Sequence, residues 1–152
     1  LPAYVAQLMT HYALQPNALK LEVTESAVMA EPEQALRALC MLNQMGIKLS
    51  IDDFGTGYSS ISYLKRYPTD FLKIDKSFVH SMTEVSNDKV LCEAIIVMAK
   101  KLGIKVVAEG IETQEQYHIL QNMGCDYGQG YLFAKPLEHQ AFNTLLEQQK
   151  AT

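Results

Sequence analysis

The chain has 152 residues, 48% apolar and 20% charged, and its 13 Lys and Arg against 17 Asp and Glu leave a net charge of −4. That composition suits one globular domain with a sizeable core; no run of about 18 apolar residues offers a membrane span, no secretory leader pattern is present, and a pI near 5.5 without a basic cluster excludes a reader of nucleic-acid backbones. The acidic balance favours divalent cations, or an anionic substrate that arrives with bound metal.

In chain order, residues 3–13 read as a helix and Leu19–Thr24 as a strand. Pro32, then Ala35, Leu36, Leu39 and Leu42 at helical spacing, then Gly46, give a helix with Pro near its start and Gly past its end. Strand Lys48–Asp52, a short helix near Ser59–Arg66 and strand Phe71–Ile74 follow. Ser86-Asn87-Asp88 opens a helix whose apolar face uses Leu91, Cys92, Ile95, Met98, Ala99 and Leu102, closed by Gly103. After strand Lys105–Glu109, Thr113-Gln114-Glu115-Gln116 forms a capping box for a helix ending at Gly124. A strand at Gly130–Phe133 and a helix over 138–150 complete the chain. Met45–Asp53 is echoed by Leu102–Gly110 and more weakly by Met123–Gln129. In each echo a helix stops at a Gly suited to the left-handed position, and a short apolar run follows. The repeating unit is therefore αβ.

Alternate side chains of a strand face opposite sides. Leu21 and Val23, Leu49 and Ile51, Leu72 and Ile74, and Val106 and Ala108 share one parity; Glu22, Ser50, Asp52, Lys73 and Glu109 take the other. An open doubly wound sheet is apolar on both faces. The wall of a (β/α) barrel instead turns one face to its helices and gathers polar groups at the C-terminal mouth. The pattern predicts an α/β fold of the TIM-like barrel type. A complete barrel takes about 250 residues, roughly 31 per unit, so this length predicts an incomplete piece with about five parallel strands and five to six helices.

The strand ends supply Glu22, Glu25, Asp52, Asp53, Lys73, Asp75, Glu109, Glu112 and Gln129. Carboxylates converging from several strands repel unless positive charge lies among them, and hard, oxygen-bound Mg²⁺ or Mn²⁺ is the natural choice. Adjacent Asp52 and Asp53 could hold two ions, an arrangement that clamps a phosphoryl centre and activates water, with Lys73 facing a phosphate or a metal-bound hydroxide. Each residue also has a plain structural use. Glu22 and Glu25 could be a strand-end charge and a helix N-terminal anion, Asp52-Asp53 an Asx-type turn, Lys73 the partner of Asp75, and Glu109-Gly110 a cap for the next helix. Gly55 and Gly57 make only a lone GxG, too weak for a phosphate loop. Cys40, Cys92 and Cys125 lie among apolar neighbours without CxxC spacing and read as buried, reduced thiols. His11, His80, His118 and His139 show no metal-binding spacing. The structural uses leave one thing unexplained, that so many polar residues share one parity and one strand end.

Leu21-Glu22-Val23-Thr24-Glu25-Ser26, the stretch from Asp52-Asp53-Phe54-Gly55 to Tyr58-Ser59-Ser60, Leu72-Lys73-Ile74-Asp75, Ala108-Glu109-Gly110-Ile111-Glu112-Thr113 and Gln129-Gly130-Tyr131-Leu132-Phe133 resemble the successive motifs of the EAL domain. That family comprises metal-dependent phosphodiesterases of the bacterial messenger cyclic di-GMP. The resemblance runs in order over about residues 1–140. It implies a TIM-like barrel that opens one phosphodiester of cyclic di-GMP to give linear pGpG at a two-metal Mg²⁺ or Mn²⁺ site. It makes Glu22 and Asp52 metal ligands and gives Asp53 to the second metal. Glu109 would serve that metal through water or act as base. Lys73 would contact the attacking water or the phosphate, Gln129 would join the same pocket, Glu25 would brace the loop Asp53–Ser60, and Glu112 matches a further functional glutamate.

The family's name-giving Glu-Ala-Leu and a ligand Asn upstream of Glu22 are not among these residues. Residues 1–152 are therefore expected to be the C-terminal portion of a single EAL-type barrel domain. Two functional readings follow: part of a working cytoplasmic phosphodiesterase, inactive as an isolated piece, or a non-catalytic module that binds cyclic di-GMP or self-associates. Bare sheet edges are templates for pairing, so the isolated piece is expected to form homo-oligomers. No DNA, RNA or membrane partner is expected of these residues.

Overall fold

The αβ repeat folds as strand–helix units laid side by side. The computed structural model describes residues 1–57, 64–83 and 87–150. Strands β1 (Lys20–Thr24), β2 (Lys48–Phe54), β3 (Phe71–Ile74), β4 (Lys105–Ala108) and β5 (Tyr127–Gly128) form one parallel sheet in the order β1-β2-β3-β4-β5. Strictly sequential order, with no reversal at a central strand, is that of a barrel wall and not of a doubly wound sheet. Helices α1 (Pro2–His11), α2 (Glu25–Ala30), α3 (Pro32–Gln44), α4 (Lys76–Ser81), α5 (Asn87–Lys101), α6 (Gln114–Met123) and α7 (His139–Lys150) accompany it.

Parity divides the sheet as the sequence implies. Leu49, Ile51, Leu72, Ile74, Val106 and Ala108 are buried in one core with Leu42 of α3, Cys92, Ile95 and Ile96 of α5, and Leu120 of α6. Each large side chain so buried contributes roughly 1.5–3 kcal/mol. Leu21 and Val23 are only half-buried, because β1 lies at the edge of the sheet. On the opposite face Lys20 Nζ lies 5.1 Å from the centre of the Phe71 ring, which in turn tilts against Tyr127 at 6.1 Å.

The repeat has a further counterpart at the N-terminal end of the strands. Asp70, just before β3, takes Lys48 Nζ at 2.6 Å and the Leu49 N–H at 3.0 Å. Asp126, just before β5, takes Lys105 Nζ at 2.6 Å and the Val106 N–H at 3.0 Å. In both units one carboxylate clamps the start of its own strand to the start of the preceding unit.

Helix ends follow the sequence signals. Gly46, Gly103 and Gly124 have φ of 82°, 74° and 75°, and Thr113 with Gln116 forms the expected capping box. Two expectations need correction. The described residues hold seven helices, because short α2 and α4 start directly on strand ends, capped by the Thr24 hydroxyl and the Asp75 carboxylate. The last strand is Tyr127–Gly128, not Gly130–Phe133. A Cβ at Gly130 would overlap the Ile111 backbone; the Leu132 N–H bonds the Ile111 carbonyl and the Phe133 N–H the Gly130 carbonyl, so the chain turns there. The short helix expected near 59–66 lies largely outside the described residues, as do Tyr58-Ser59-Ser60 and Ser86.

Candidate active site

Four strands deliver their ends to one point, and Lys73 is at its centre. Lys73 Nζ, on β3, lies 2.7 Å from Glu22 Oε2 at β1, 3.1 Å from Asp52 Oδ1 at β2 and 2.7 Å from Glu109 Oε1 just after β4. Its side chain is only 7% exposed. Burial works against the charge, yet hydrogen bonds to Glu109, Glu22 and Asp52 outweigh it and hold the ammonium well above its ordinary pKa. Burial likewise works against ionised Glu22, but Lys73 and then Lys20 pull it below the usual range. Lys73 does not pair with Asp75, as the simpler expectation had it. Asp75 instead caps α4 through the Ser77 N–H and hydroxyl, and these bonds, against burial, keep it ionised.

Strand parity alone would turn Asp53 away from this cluster. The register explains why it does not. Ile51 pairs with Leu72 and Phe54 with Ile74, so Asp52 and Asp53 together stand opposite the single residue Lys73. This is a β-bulge, uncommon between parallel strands, and Asp53 takes a φ of 54° to make it, a conformation Asp tolerates better than most residues. The Asp52 carboxylate accepts the N–H of the next residue, Asp53, at 3.0 Å, and not that of the residue two on as an Asx-type turn would have it. Asp52, Asp53 and Glu109 thereby offer carboxylate oxygens that all lie within 4.8 Å of one another. An all-oxygen, carboxylate-rich donor set fits hard divalent cations. Lys73 faces three of these carboxylates and Lys20 Nζ lies 3.3 Å from Glu22, so two cations against Glu22, Asp52, Asp53 and Glu109 leave an excess of negative charge that such an ion would balance.

The other expected residues surround this group. Glu25, opening α2, is buried, and its Oε2 accepts the Gly55 N–H at 2.9 Å, tying α2 to the segment after β2. Gln129 donates from Nε2 to Glu109 Oε1 at 2.8 Å, the same oxygen that faces Lys73. Glu109-Gly110 does not cap α6, since Thr113 does. Glu112 stands off from the cluster across a cavity of about 940 Å³. That cavity also takes in Lys76, Ser77 and His80 of α4, residues that sequence reasoning left out. The signal available was Asp75 two residues before Ser77, an N-cap pattern that would have placed a helix with Lys76 and His80 one turn apart. Among the cysteines, Cys92 is buried and its thiol pushed up to about 12 by burial and by Asp88; Cys40 and Cys125 are half-buried, and all three are reduced.

A sequential parallel wall with clustered carboxylates at its C-terminal mouth defines a TIM-like barrel protein with a cation-suited site. The chain matches the EAL domain family over residues 1–136 and belongs to it. It is 48% identical over 128 residues to the cyclic di-GMP phosphodiesterase NbdA of Pseudomonas aeruginosa, which covers 84% of this chain and 16% of NbdA. A solved PaMucR phosphodiesterase–c-di-GMP complex superposes with a TM-score of 0.88 at 41% identity, over 91% of this chain and 56% of that one. The manganese/cyclic di-GMP complex of Klebsiella pneumoniae BlrP1 gives 0.82 at 37% identity, over 90% and 36%. The chain thus spans about a fifth or less of the curated relatives NbdA and MucR, and the barrel wall it forms is incomplete. No helix among the described residues is long and apolar enough to cross a membrane.

Proposed function

We propose that these residues are the C-terminal portion of a single EAL barrel domain that hydrolyses one phosphodiester of cyclic di-GMP to give linear pGpG. The observation that carries this reading is the convergence of Glu22, Asp52 and Glu109 on Lys73, with Asp53 beside Asp52 and Glu109. Those four carboxylates would hold Mg²⁺ or Mn²⁺, which supplies charge neutralisation at the phosphoryl group and a lowered pKa for water. Lys73, kept cationic by its neighbours, faces the phosphate being opened. Glu109 has one oxygen engaged by Lys73 and Gln129, which leaves the other for an ion or for the proton of the attacking water. Glu25 braces the segment that carries Asp53, and Glu112 lines the nucleotide's side of the cavity. The relatives' names and complexes support the substrate, and the manganese and calcium complexes of BlrP1 support a divalent site.

The same reading makes the chain on its own inactive, because the Glu and Asn ligands expected upstream of Glu22 are not among its residues. It makes the isolated wall self-associate through the edges at β1 and β5, and it places the domain in the cytoplasm, where the messenger is. The test is pGpG formation by the whole domain in Mg²⁺ or Mn²⁺, with Asp52→Ala beside wild type. Turnover by wild type alone supports the reading. Tight nucleotide binding by a wild type that never hydrolyses it would replace the reading with that of a binding module, and turnover by Asp52→Ala would remove the metal assignment.

A further inference from the structure

Glu112 stands away from the Lys73 cluster, and its surroundings account for how it is held. The loop from β4 to α6 lies flush on α4. At Gly110, with φ of 69°, an added Cβ would come within 2.6 Å of Lys76 Cβ and 3.3 Å of His80 Nε2. The loop backbone is fixed from the other side as well. Gln116 Oε1 accepts the N–H groups of Glu112 and Thr113 at 2.8 and 3.0 Å, and Ile111 bonds Gln129 and Leu132 through its N–H and carbonyl. The Glu112 side chain then reaches back over α4, where its Oε1 lies 3.5 Å from His80 Nε2 in the cavity wall. A long glutamate beside Lys76 and Lys135, which line the same cavity, has other cations to swing toward if this partner is lost, and ordering it in one rotamer has an entropic cost.

We propose that His80 is a positioning residue: it holds the Glu112 carboxylate against α4 and so sets the cavity wall beside Glu109. The proposal rests on the phosphodiesterase reading above. It assigns α4 a part in the site through a contact between side chains, in addition to its packing under the loop.

The experiment is a double-mutant cycle in the whole domain, with His80→Leu, Glu112→Gln and their combination, and His80→Gln as the conservative variant. His80→Leu should raise KM for cyclic di-GMP about threefold, in the range of one half-exposed polar contact, with kcat within about twofold. His80→Gln, which keeps a donor near Glu112, should recover most of that loss. The combined variant should be no worse than Glu112→Gln alone, as expected for two groups acting through one contact. Unchanged KM in His80→Leu, losses that multiply in the combined variant, or a fall in kcat that only tracks the folded fraction would each overturn the proposal. Should His80→Leu fail to fold, His80→Asn, whose shorter amide stops short of Glu112, takes its place with the same expectations. Absence of hydrolysis by wild type would overturn the phosphodiesterase reading, and the cycle is then read in the Kd for cyclic di-GMP by equilibrium dialysis. The same pattern in Kd keeps the positioning role, and its absence ends it.

Discussion

At the N-terminal end of the sheet, Asp70 and Asp126 each face one lysine and one strand N–H; at the C-terminal end, Glu22, Asp52 and Glu109 gather about Lys73 with Asp53 beside Asp52 and Glu109. The residue types are the same and the charge balance is opposite. Each lower carboxylate is matched by one cation and one backbone donor, so it fastens two strands and nothing more is needed. Asp126 is held below its usual pKa in this way, Lys105 and the Val106 N–H outweighing burial. The upper cluster is left with excess negative charge in a partly buried place, an arrangement that works against folding unless a cation completes it. Barrels place stability at the lower face and chemistry at the upper one, and here the difference can be read as arithmetic on charges.

The largest effect should come from removing the upper cation. In the whole domain, Lys73→Met leaves carboxylates from three strands facing one another without their ammonium. Hydrolysis should fall at least 10²–10³-fold, as loss of a group that stabilises transition-state charge does, and stability should fall by about 3 kcal/mol. Urea unfolding and a pGpG assay on the same preparation read both. Added Mg²⁺ should restore more stability to Lys73→Met than it adds to wild type, because a ligand that binds only the folded state stabilises it. Turnover within tenfold of wild type would remove Lys73 from the chemistry.

The contrast between the two ends also marks what the sequence could disclose. Alternation of apolar and polar residues was sufficient to place Glu22, Asp52, Lys73 and Glu109 on one face, since parity is a local property of strands. The helix ends at Gly46, Gly103 and Gly124 and the Thr113 capping box were legible for the same reason. Asp53 was not placed by parity. Its route to the site is a bulge, set by how β2 registers on β3, and no local pattern of β2 encodes that. The lower clamps were hidden likewise: Asp70 and Asp126 sit 21 and 20 residues from the strand N–H groups they bind, and only the sheet brings them together. The strand expected at Gly130–Phe133 failed because its aromatic and apolar residues suit a strand, while close approach to Ile111 demands a turn.

A middle-sized effect should come from the lower clamps. Asp126→Ala deprives the buried Val106 N–H of its acceptor, and Asp70→Ala does the same to Leu49. Each should cost about 2 kcal/mol by urea unfolding, the range for stranding a buried donor. The lysine partners are more than half exposed, so Lys48→Ala or Lys105→Ala should cost less than about 1 kcal/mol. The Asp70 carbonyl accepts the Lys105 N–H at 2.9 Å, so the two clamps are neighbours and the Asp70→Ala and Asp126→Ala losses should couple rather than simply add, while kcat per folded molecule should stay at the wild-type value. A fall in kcat would show that the two ends of the wall are coupled.

The smallest effect is a pH dependence, and both ends contribute to it. Glu22 and Asp126 both have folded pKa values below their ordinary 4.5 and 3.8. A group depressed on folding contributes stability above its unfolded pKa and loses it as pH falls through its folded one. Wild-type stability should therefore decline on acidification below about pH 4.5. Asp126→Asn removes one contributor at the lower end, so its curve should run closer to flat over that range. Lys73→Met should flatten the curve at the upper end. Without the ammonium, Glu22 keeps only Lys20 against the burial that favours its neutral form, so less stability is lost when it is protonated. The deficit of Lys73→Met relative to wild type should then shrink steadily from pH 6 to pH 3 in urea titrations of the whole domain, while the deficit of Lys48→Ala stays small throughout. Parallel curves for wild type and Lys73→Met would mean that the upper carboxylates do not depend on Lys73 for their charge.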